Sequence, residues 1–187
     1  MEDQPYLYRA FTDGHLDLTG EGKSERIHYV AVGHSERWSD PEEKVRAEFY
    51  AELIYKYHYP AQRIGIEITV PDRTPKDSAD LVVFEDDKRL PPYAVIECKR
   101  DGITDAEFDQ ATEQAFGNGH AHKFRANYVG VVPASRASFS IAATSFRSES
   151  VRRIASSIYR SATANPCASS SARATPSTIL HRCLRNV

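Results

Sequence analysis

Two short apolar segments contain acidic and basic residues, and this combination constrains the fold most. Residues 78–84 read Ser-Ala-Asp-Leu-Val-Val-Phe, and residues 94–99 read Ala-Val-Ile-Glu-Cys-Lys. Apolar runs of this length predict buried β-strands. Burying a charge is costly unless it is paired or bound to a metal ion. Asp80, Glu97 and Lys99 therefore need partners, and the alternation of side chains places Glu97 and Lys99 on one face of their strand.

The segment between the two runs predicts a turn that joins them as a hairpin. Residues 85–92 are rich in charge and end in two prolines, which cannot continue a ladder. With the tip of the hairpin at Lys88 and Arg89, residues whose numbers add to 177 face each other. Asp80 then lies opposite Glu97.

Two facing carboxylates favour a site for a divalent cation. Like charges directly opposite each other destabilise a sheet, and a cation between them removes that repulsion. Two carboxylates with waters and a phosphate oxygen suit Mg²⁺, and Lys99 can then hold the phosphate or the attacking water. The pattern predicts metal-assisted phosphodiester hydrolysis. The alternative is an ordinary cross-strand ion pair between Lys99 and Glu97 or Asp80.

The surrounding pattern predicts a single α/β layer structure. Asp40 is placed to cap a helix over residues 41–57, and Thr104 with Glu107 forms a capping box for a second helix. Gly117-Asn118-Gly119 is expected to end the second helix. Residues 63–70 and 127–132 complete the strands, with Ile64, Ile66 and Ile68 expected on one side of the first of these. The predicted fold is a small mixed β-sheet flanked by helices.

Composition divides the chain into three parts. Residues 1–37 form an N-terminal lead-in, residues 38–133 hold the α/β pattern, and residues 134–187 form a tail with 13 Ser, eight Arg, no Lys and one acidic residue. Such bias is typical of low complexity, and within the tail only residues 151–159 show helical spacing. The tail is interpreted either as a frameshifted or truncated end of a longer protein or as a disordered basic tail that binds polyanions.

Neither a membrane span nor a secretion signal is expected from the sequence. The net charge is −2, and no run of about 18 apolar residues occurs, so no membrane span is expected. The start of the chain is polar and acidic, unlike a signal peptide. The cysteines Cys98, Cys167 and Cys183 have no ligand-like spacing, which favours reduced thiols and a cytoplasmic location. Cys98 is expected to pack in the core.

The constellation of Asp80 with Glu97-Cys98-Lys99 resembles the PD-(D/E)XK nuclease motif. Residues 40–132 are similar to the N-terminal nuclease domain of type I restriction-enzyme restriction subunits, and to the related domain fused to some adenine methyltransferases. The similarity rests on the two charged strands, on an acid in the first helix (Glu48) and on a glutamine in the second (Gln110). It implies a restriction-endonuclease-like core.

The resemblance also implies roles for individual residues. Asp80 and Glu97 are expected to bind Mg²⁺, with the Cys98 carbonyl as a further ligand, and Lys99 is the expected catalytic lysine. Glu48 is expected to complete the site, and Gln110 to contact DNA or orient the site; for both, the alternative is a solvated helix residue. Two positions depart from the family pattern: Ala79 replaces the usual proline, and Gln114 stands where a tyrosine is usual.

The resemblance implies an endonuclease of a restriction-modification system that cuts double-stranded DNA. Neutralising phosphates dominates nonspecific DNA affinity, so the acidic balance of this chain predicts that motor, specificity or methyltransferase modules supply most of the grip. The sequence contains no phosphate-binding loop for ATP. Two alternatives stay open: a non-catalytic module that binds nucleic acid or aids assembly on the same fold, and a truncated fragment of a larger restriction protein.

Overall fold

The computed structural model describes residues 5–71, 74–121, 124–134 and 140–143, which form two β-sheets and three α-helices. The first sheet is antiparallel, with its strands in chain order. It follows the first helix, and its elements are α1 (Pro5–Thr12), β1 (Leu16–Thr19), β2 (Arg26–Tyr29) and β3 (His34–Arg37). The lead-in predicted at residues 1–37 therefore contains regular structure.

The second sheet has five strands and holds the charged segments. The remaining elements are α2 (Pro41–Tyr55), β4 (Ile64–Thr69), β5 (Ser78–Phe84), β6 (Pro92–Lys99), α3 (Asp105–Gly119), β7 (Tyr128–Pro133) and β8 (Ser140–Ala143), with short 3₁₀ turns at Gly22–Ser24 and Ala61–Arg63. The strand order is β4-β5-β6-β7-β8, and β6 and β7 are parallel whereas the other neighbours are antiparallel. This is the predicted small mixed α/β fold.

The register of the β5–β6 hairpin is the predicted one. Leu81 pairs with Ile96, Val82 with Val95 and Val83 with Ala94, and a bulge follows before Phe84. All three pairs add to 177, as predicted, and the ladder ends at Leu81 and Ile96, one residue short of Asp80 and Glu97. The charged turn and its prolines thus set a register that brings the two acids to the open end of the hairpin.

The helices α2 and α3 cover opposite faces of the five-stranded sheet. One apolar core joins α2 to Leu81, Ile96 and the N-terminal sheet, and Cys98 is fully buried in it, as expected. The other core joins α3 to Val82 and Val95. The alternation of side chains along β5 and β6 feeds both cores. Asp40 caps α2, and the capping box of Thr104 and Glu107 begins α3, as predicted.

Strand β4 departs from simple alternation. Ile64 and Ile66 lie in the α2 core, but Ile68 packs against the α3 core, so the three isoleucines do not share a side. Between them Glu67 has a φ of 49°. This left-handed conformation is uncommon for a residue other than glycine, and it turns the strand. The expected alternation therefore fails at Glu67, where the backbone reverses the direction of the next side chain.

Helix α3 ends where predicted, whereas the sheet extends further than the sequence pattern indicates. The last helical residue is Gly119 of the Gly117-Asn118-Gly119 run, where a Cβ would lie 2.4 Å from Cγ1 of Val129. The sheet continues past Pro133 with β8. The helical spacing at residues 151–159, Cys167 and Cys183 lie outside the described residues. Within the described part of the chain, none of the helices combines the length and apolar character needed to cross a membrane.

Candidate functional site

Asp80 lies at the open end of the β5–β6 hairpin, with both carboxylate oxygens occupied. Just beyond the last ladder pair, the Cys98 backbone N–H donates to its Oδ2 at 2.6 Å. Arg46 of α2 donates from Nη2 to its Oδ1 at 2.7 Å. Beyond the last ladder pair, the Asp80 carboxylate replaces a backbone carbonyl as the acceptor for a strand N–H. Because its oxygens are hydrogen-bonded in this way, the acid can be buried at the end of the ladder.

Glu97 is 1% exposed and faces α3. Its Oε1 accepts a hydrogen bond from Asn118 Nδ2 at 3.2 Å. Burial raises the pKa of Glu97 well above its usual range, the charge of Asp80 and a hydrogen bond with its carboxyl raise it further, and Lys99 and Asn118 oppose the shift. The two carboxyls are therefore close enough to act on each other, and a cation placed between them would relieve their repulsion.

Lys99 completes the group predicted from the sequence. It follows Glu97 by two residues in β6, and its charge acts on that carboxyl. Its Nζ lies 3.7 Å from Oε2 of Glu42 in the first turn of α2, and 20% of its side chain is exposed. The structure thus brings Asp80, Glu97 and Lys99 together, with the ammonium on the more exposed side, where a charged ligand can reach it.

Arg46 holds a cluster of acids beside Asp80. Its Nη1 donates to Oε2 of Glu43 at 2.7 Å, and its Nη2 donates to Oε1 of Glu67 at 2.6 Å as well as to Asp80. Burial opposes the guanidinium charge, but the three carboxylates outweigh it and raise the pKa of Arg46. Burial also raises the pKa of Glu67, despite the opposing charge of Arg46. Arg46 therefore stays charged and neutralises part of the acidic cluster.

Glu43 anchors this cluster to the N-terminal sheet. Its Oε1 accepts a hydrogen bond from the Tyr29 hydroxyl of β2. Burial raises the pKa of Glu43 to about 7, although Arg46 and Tyr29 both act to lower it. The site thus contains carboxyl groups whose protonation is set largely by their removal from water.

The two residues expected from the helices lie in different surroundings. Glu48 is half-buried on α2, about 200° around the helix axis from Arg46 at 100° per residue. Gln110 is exposed on α3. On the same helix face, Gln114 Nε2 lies 3.4 Å from Oδ1 of Asp77, and Asn118 reaches Glu97. Glu48 and Arg46 therefore lie on different faces of α2, and the predicted roles of Glu48 and Gln110 stay predictions.

Sequence reasoning missed Glu43, Arg46, Glu67 and Asn118. A signal existed for the first two, because they continue a 3-4-3 spacing through Tyr50 and Leu53, which marks a buried helix stripe. For Asn118 the signal was its spacing of four residues from Gln114, hidden by the flanking glycines. Glu67 gives no sequence signal, since its position depends on an unusual backbone angle.

The carboxylate oxygens of Asp80 and Glu97 are suitable ligands for a small hard cation, although they would not surround it completely. Within the described residues, no group of three His, Cys, Asp or Glu side chains is arranged to hold a metal ion. Mg²⁺ commonly uses one or two carboxylates and several waters, and Asp80 and Glu97 are the two carboxylates that could serve here. The Cys98 thiol is unsuitable, since burial raises its pKa well above the usual range.

One known protein family matches the part of the chain that carries this site. Residues 41–129 match the family model described as the type I restriction enzyme R protein N terminus. The match covers just under half of the 187 residues. It begins at the first residue of α2 and ends within β7, so it includes every residue of the site described above except Tyr29. Searches of the curated proteins and of the solved structures each return no match.

Proposed function

We propose that this chain contains the Mg²⁺-dependent endonuclease domain of a restriction-modification system, a member of the PD-(D/E)XK superfamily, and that it hydrolyses phosphodiester bonds in double-stranded DNA. The observation that carries the proposal is the convergence of Asp80, Glu97 and Lys99 at the open end of one hairpin. The match to the restriction enzyme R protein N terminus supports the same role.

Each of the three residues has a distinct task in this proposal. Asp80, oriented by the Cys98 N–H, and Glu97, oriented by Asn118, would hold the cation together with the Cys98 carbonyl. Bound Mg²⁺ would polarise the phosphoryl group and lower the pKa of a water ligand. To hold the cation, Glu97 would have to be ionised, since a ligating carboxyl must be deprotonated. Lys99 holds the phosphate or orients the attacking water, and stabilises negative charge as it develops.

Partner modules are expected to hold the DNA. The net charge of −2 gives this chain little general attraction for phosphates. A multi-subunit restriction system supplies motor, specificity or methyltransferase modules for that purpose. We therefore expect weak cleavage by the isolated chain, and metal binding is a necessary second measurement beside cleavage.

The test measures nicking of supercoiled plasmid with Mg²⁺ or Mn²⁺, and Mn²⁺ binding by calorimetry, in the wild type, Asp80→Asn and Lys99→Ala. We expect Asp80→Asn to abolish Mn²⁺ binding and nicking. Lys99→Ala should retain Mn²⁺ binding but lower the nicking rate by about 10²–10³-fold, the cost of removing a group that stabilises transition-state charge. Lys56→Ala is the matched control, because Lys56 forms an ion pair of similar length, 3.6 Å to Glu52, elsewhere on α2.

Several outcomes would contradict the proposal. Nicking that survives in Asp80→Asn, or that needs no divalent ion, would show that another site or a contaminant is responsible. DNA binding without cleavage, even with partner subunits present, would instead support the non-catalytic module. Glu48→Gln and Gln110→Ala belong in the same assay: loss of nicking at unchanged Mn²⁺ affinity would confirm their predicted roles.

A further inference from the structure

Arg46 is a buried arginine surrounded by carboxylates, and the proposed hydrolysis gives it no direct task. Its side chain is 7% exposed and forms ion pairs with Glu43, Glu67 and Asp80 at 2.6–2.7 Å. A buried charge costs several kcal/mol unless its partners have good geometry. Three short contacts meet that condition. A charge that is costly to bury therefore lies directly beside Asp80.

The guanidinium connects three elements at this point. Its Nη2 donates to both Asp80 of β5 and Glu67 of β4, and its Nη1 donates to Glu43 within α2. Glu43 is held in turn by the Tyr29 hydroxyl. The planar guanidinium fixes the direction of each donor, which a lysine ammonium cannot do. Arg46 is thus held in place from the side opposite Asp80.

This arrangement fixes the orientation of the Asp80 carboxylate. Arg46 occupies one lone-pair position of Oδ1, and the Cys98 N–H occupies one of Oδ2. An ionised carboxylate offers about four such positions, so two remain on the side that Glu97 contacts, where a cation would lie. Without Arg46, the Cys98 N–H alone would orient the carboxylate, and the negative charges of Asp80 and Glu67 would face each other without the guanidinium between them.

We propose that Arg46 is a positioning residue for divalent-cation binding: it orients Asp80 and separates it from Glu67, and so sets the affinity of the Asp80–Glu97 pair for the cation. The inference rests on the proposed function. Hydrogen-bond partners of metal ligands typically contribute 10- to 100-fold in metal affinity. The opposite role, in which Arg46 competes with the cation for Asp80, predicts tighter binding when the arginine is removed.

The experiment titrates the full 187-residue chain with Mn²⁺ alone by calorimetry, comparing the wild type with Arg46→Met and Arg46→Lys. We expect the dissociation constant to rise about 10- to 100-fold in Arg46→Met. Arg46→Lys keeps the charge but loses the planar pair of donors, and should stay about tenfold or more weaker than the wild type. Arg63→Met is the matched control, because Arg63 pairs with Asp87 at 2.6 Å away from the site.

A second pair of variants keeps the test valid if Arg46→Met fails to fold. Arg46→Met leaves three carboxylates without their cation, so the same change is also made in a Glu43→Gln/Glu67→Gln background, where only Asp80 loses its partner. The triple variant should bind Mn²⁺ about 10- to 100-fold more weakly than the double variant. Circular dichroism and thermal unfolding establish that the compared proteins are folded at the titration temperature.

The outcomes separate this inference from the proposed function. Unchanged or tighter Mn²⁺ binding after loss of Arg46, or wild-type affinity in Arg46→Lys, would overturn the positioning role. So would loss of binding in Glu43→Gln/Glu67→Gln alone, because the acids would then set the affinity. If the wild type binds no Mn²⁺, or if Asp80→Asn binds it normally, the proposed function itself fails. If binding depends on Asp80 but not on Arg46, only the inference fails.

Discussion

The helices α2 and α3 reach the same hairpin from opposite faces and by different means. Helix α2 extends long charged side chains to Asp80 through a buried network of Glu43 and Arg46. Helix α3 approaches closely through small residues, Ala111, Ala115 and Gly119, and contacts Glu97 with one short amide, that of Asn118. One side of the site therefore depends on the balance of buried charge, and the other on the volume available between helix and sheet.

This difference predicts different sensitivities. Where charges are buried, stability depends on protonation, because each carboxyl must be paired or neutral. Where a helix lies against a strand with no space between them, stability depends on single methyl groups. Both sides support the same two acids, so each can be altered while the other serves as the reference.

The largest effect is expected on the α2 side, from the pH dependence of Glu43. Burial raises its pKa to about 7 in the folded protein, from an ordinary value of 4.5. Between these pH values the native state binds more protons than the unfolded state, so stability falls as pH rises. The shift corresponds to as much as about 3 kcal/mol. Glu43→Gln should remove this part of the decline between pH 5 and 8, measured by urea unfolding.

A residual slope is expected in Glu43→Gln, because burial also raises the pKa of Glu67 and of Glu97. The test therefore compares how steeply the free energy of unfolding falls with pH in the two proteins, and the variant is expected to keep part of that fall. If the variant and the wild type lose stability equally across this pH range, Glu43 does not carry the charge balance of the α2 side.

The next largest effect is expected on the α3 side, at Gly119. A Cβ at this position would lie 2.4 Å from Cγ1 of Val129 in β7. Gly119→Ala should destabilise the protein by about 1–3 kcal/mol, the usual cost of overpacking, and this loss should be similar at pH 5 and pH 8. Chemical denaturation at both pH values measures it.

A double variant tests the cause of that loss. Val129→Ala removes the atom that the new methyl group meets, so Gly119→Ala should cost less in the Val129→Ala background than in the wild type. Equal costs in both backgrounds would show that the close approach to Val129 is not what requires glycine here.

The two sides also differ in how far the sequence predicts them. The hairpin, its register and the meeting of Asp80 with Glu97 follow from apolar runs and turn residues, which are local signals. The capping box at Thr104 likewise predicts where α3 begins. The glycines at 117 and 119 also predict where α3 ends. The close approach of Gly119 to Val129 was not predicted, because spacing within one helix carries no information about a neighbouring strand.

The Arg46 network was not predicted, for a related reason. Charged residues on a helix usually face solvent, and only the meeting of α2, β4 and β5 makes a buried arginine acceptable. Glu67 enters this network through a left-handed backbone conformation within a strand. Neither feature follows from residue type, since each depends on partners far apart in the chain.

The smallest effect is expected at the beginning of α3, which lies far from the site. Thr104 accepts a hydrogen bond from the Glu107 N–H, and the Glu107 side chain accepts one from the Thr104 N–H at 2.7 Å. Thr104→Ala should cost about 1 kcal/mol through loss of this cap, and Thr104→Ser should cost little.

The helix spans about 22 Å between this cap and its other end near Asn118. Mn²⁺ affinity should therefore stay unchanged in Thr104→Ala, as measured by calorimetry beside urea unfolding. A loss of affinity there would mean that α3 supports Glu97 along its whole length, and not only through Asn118 and the close packing at Gly119.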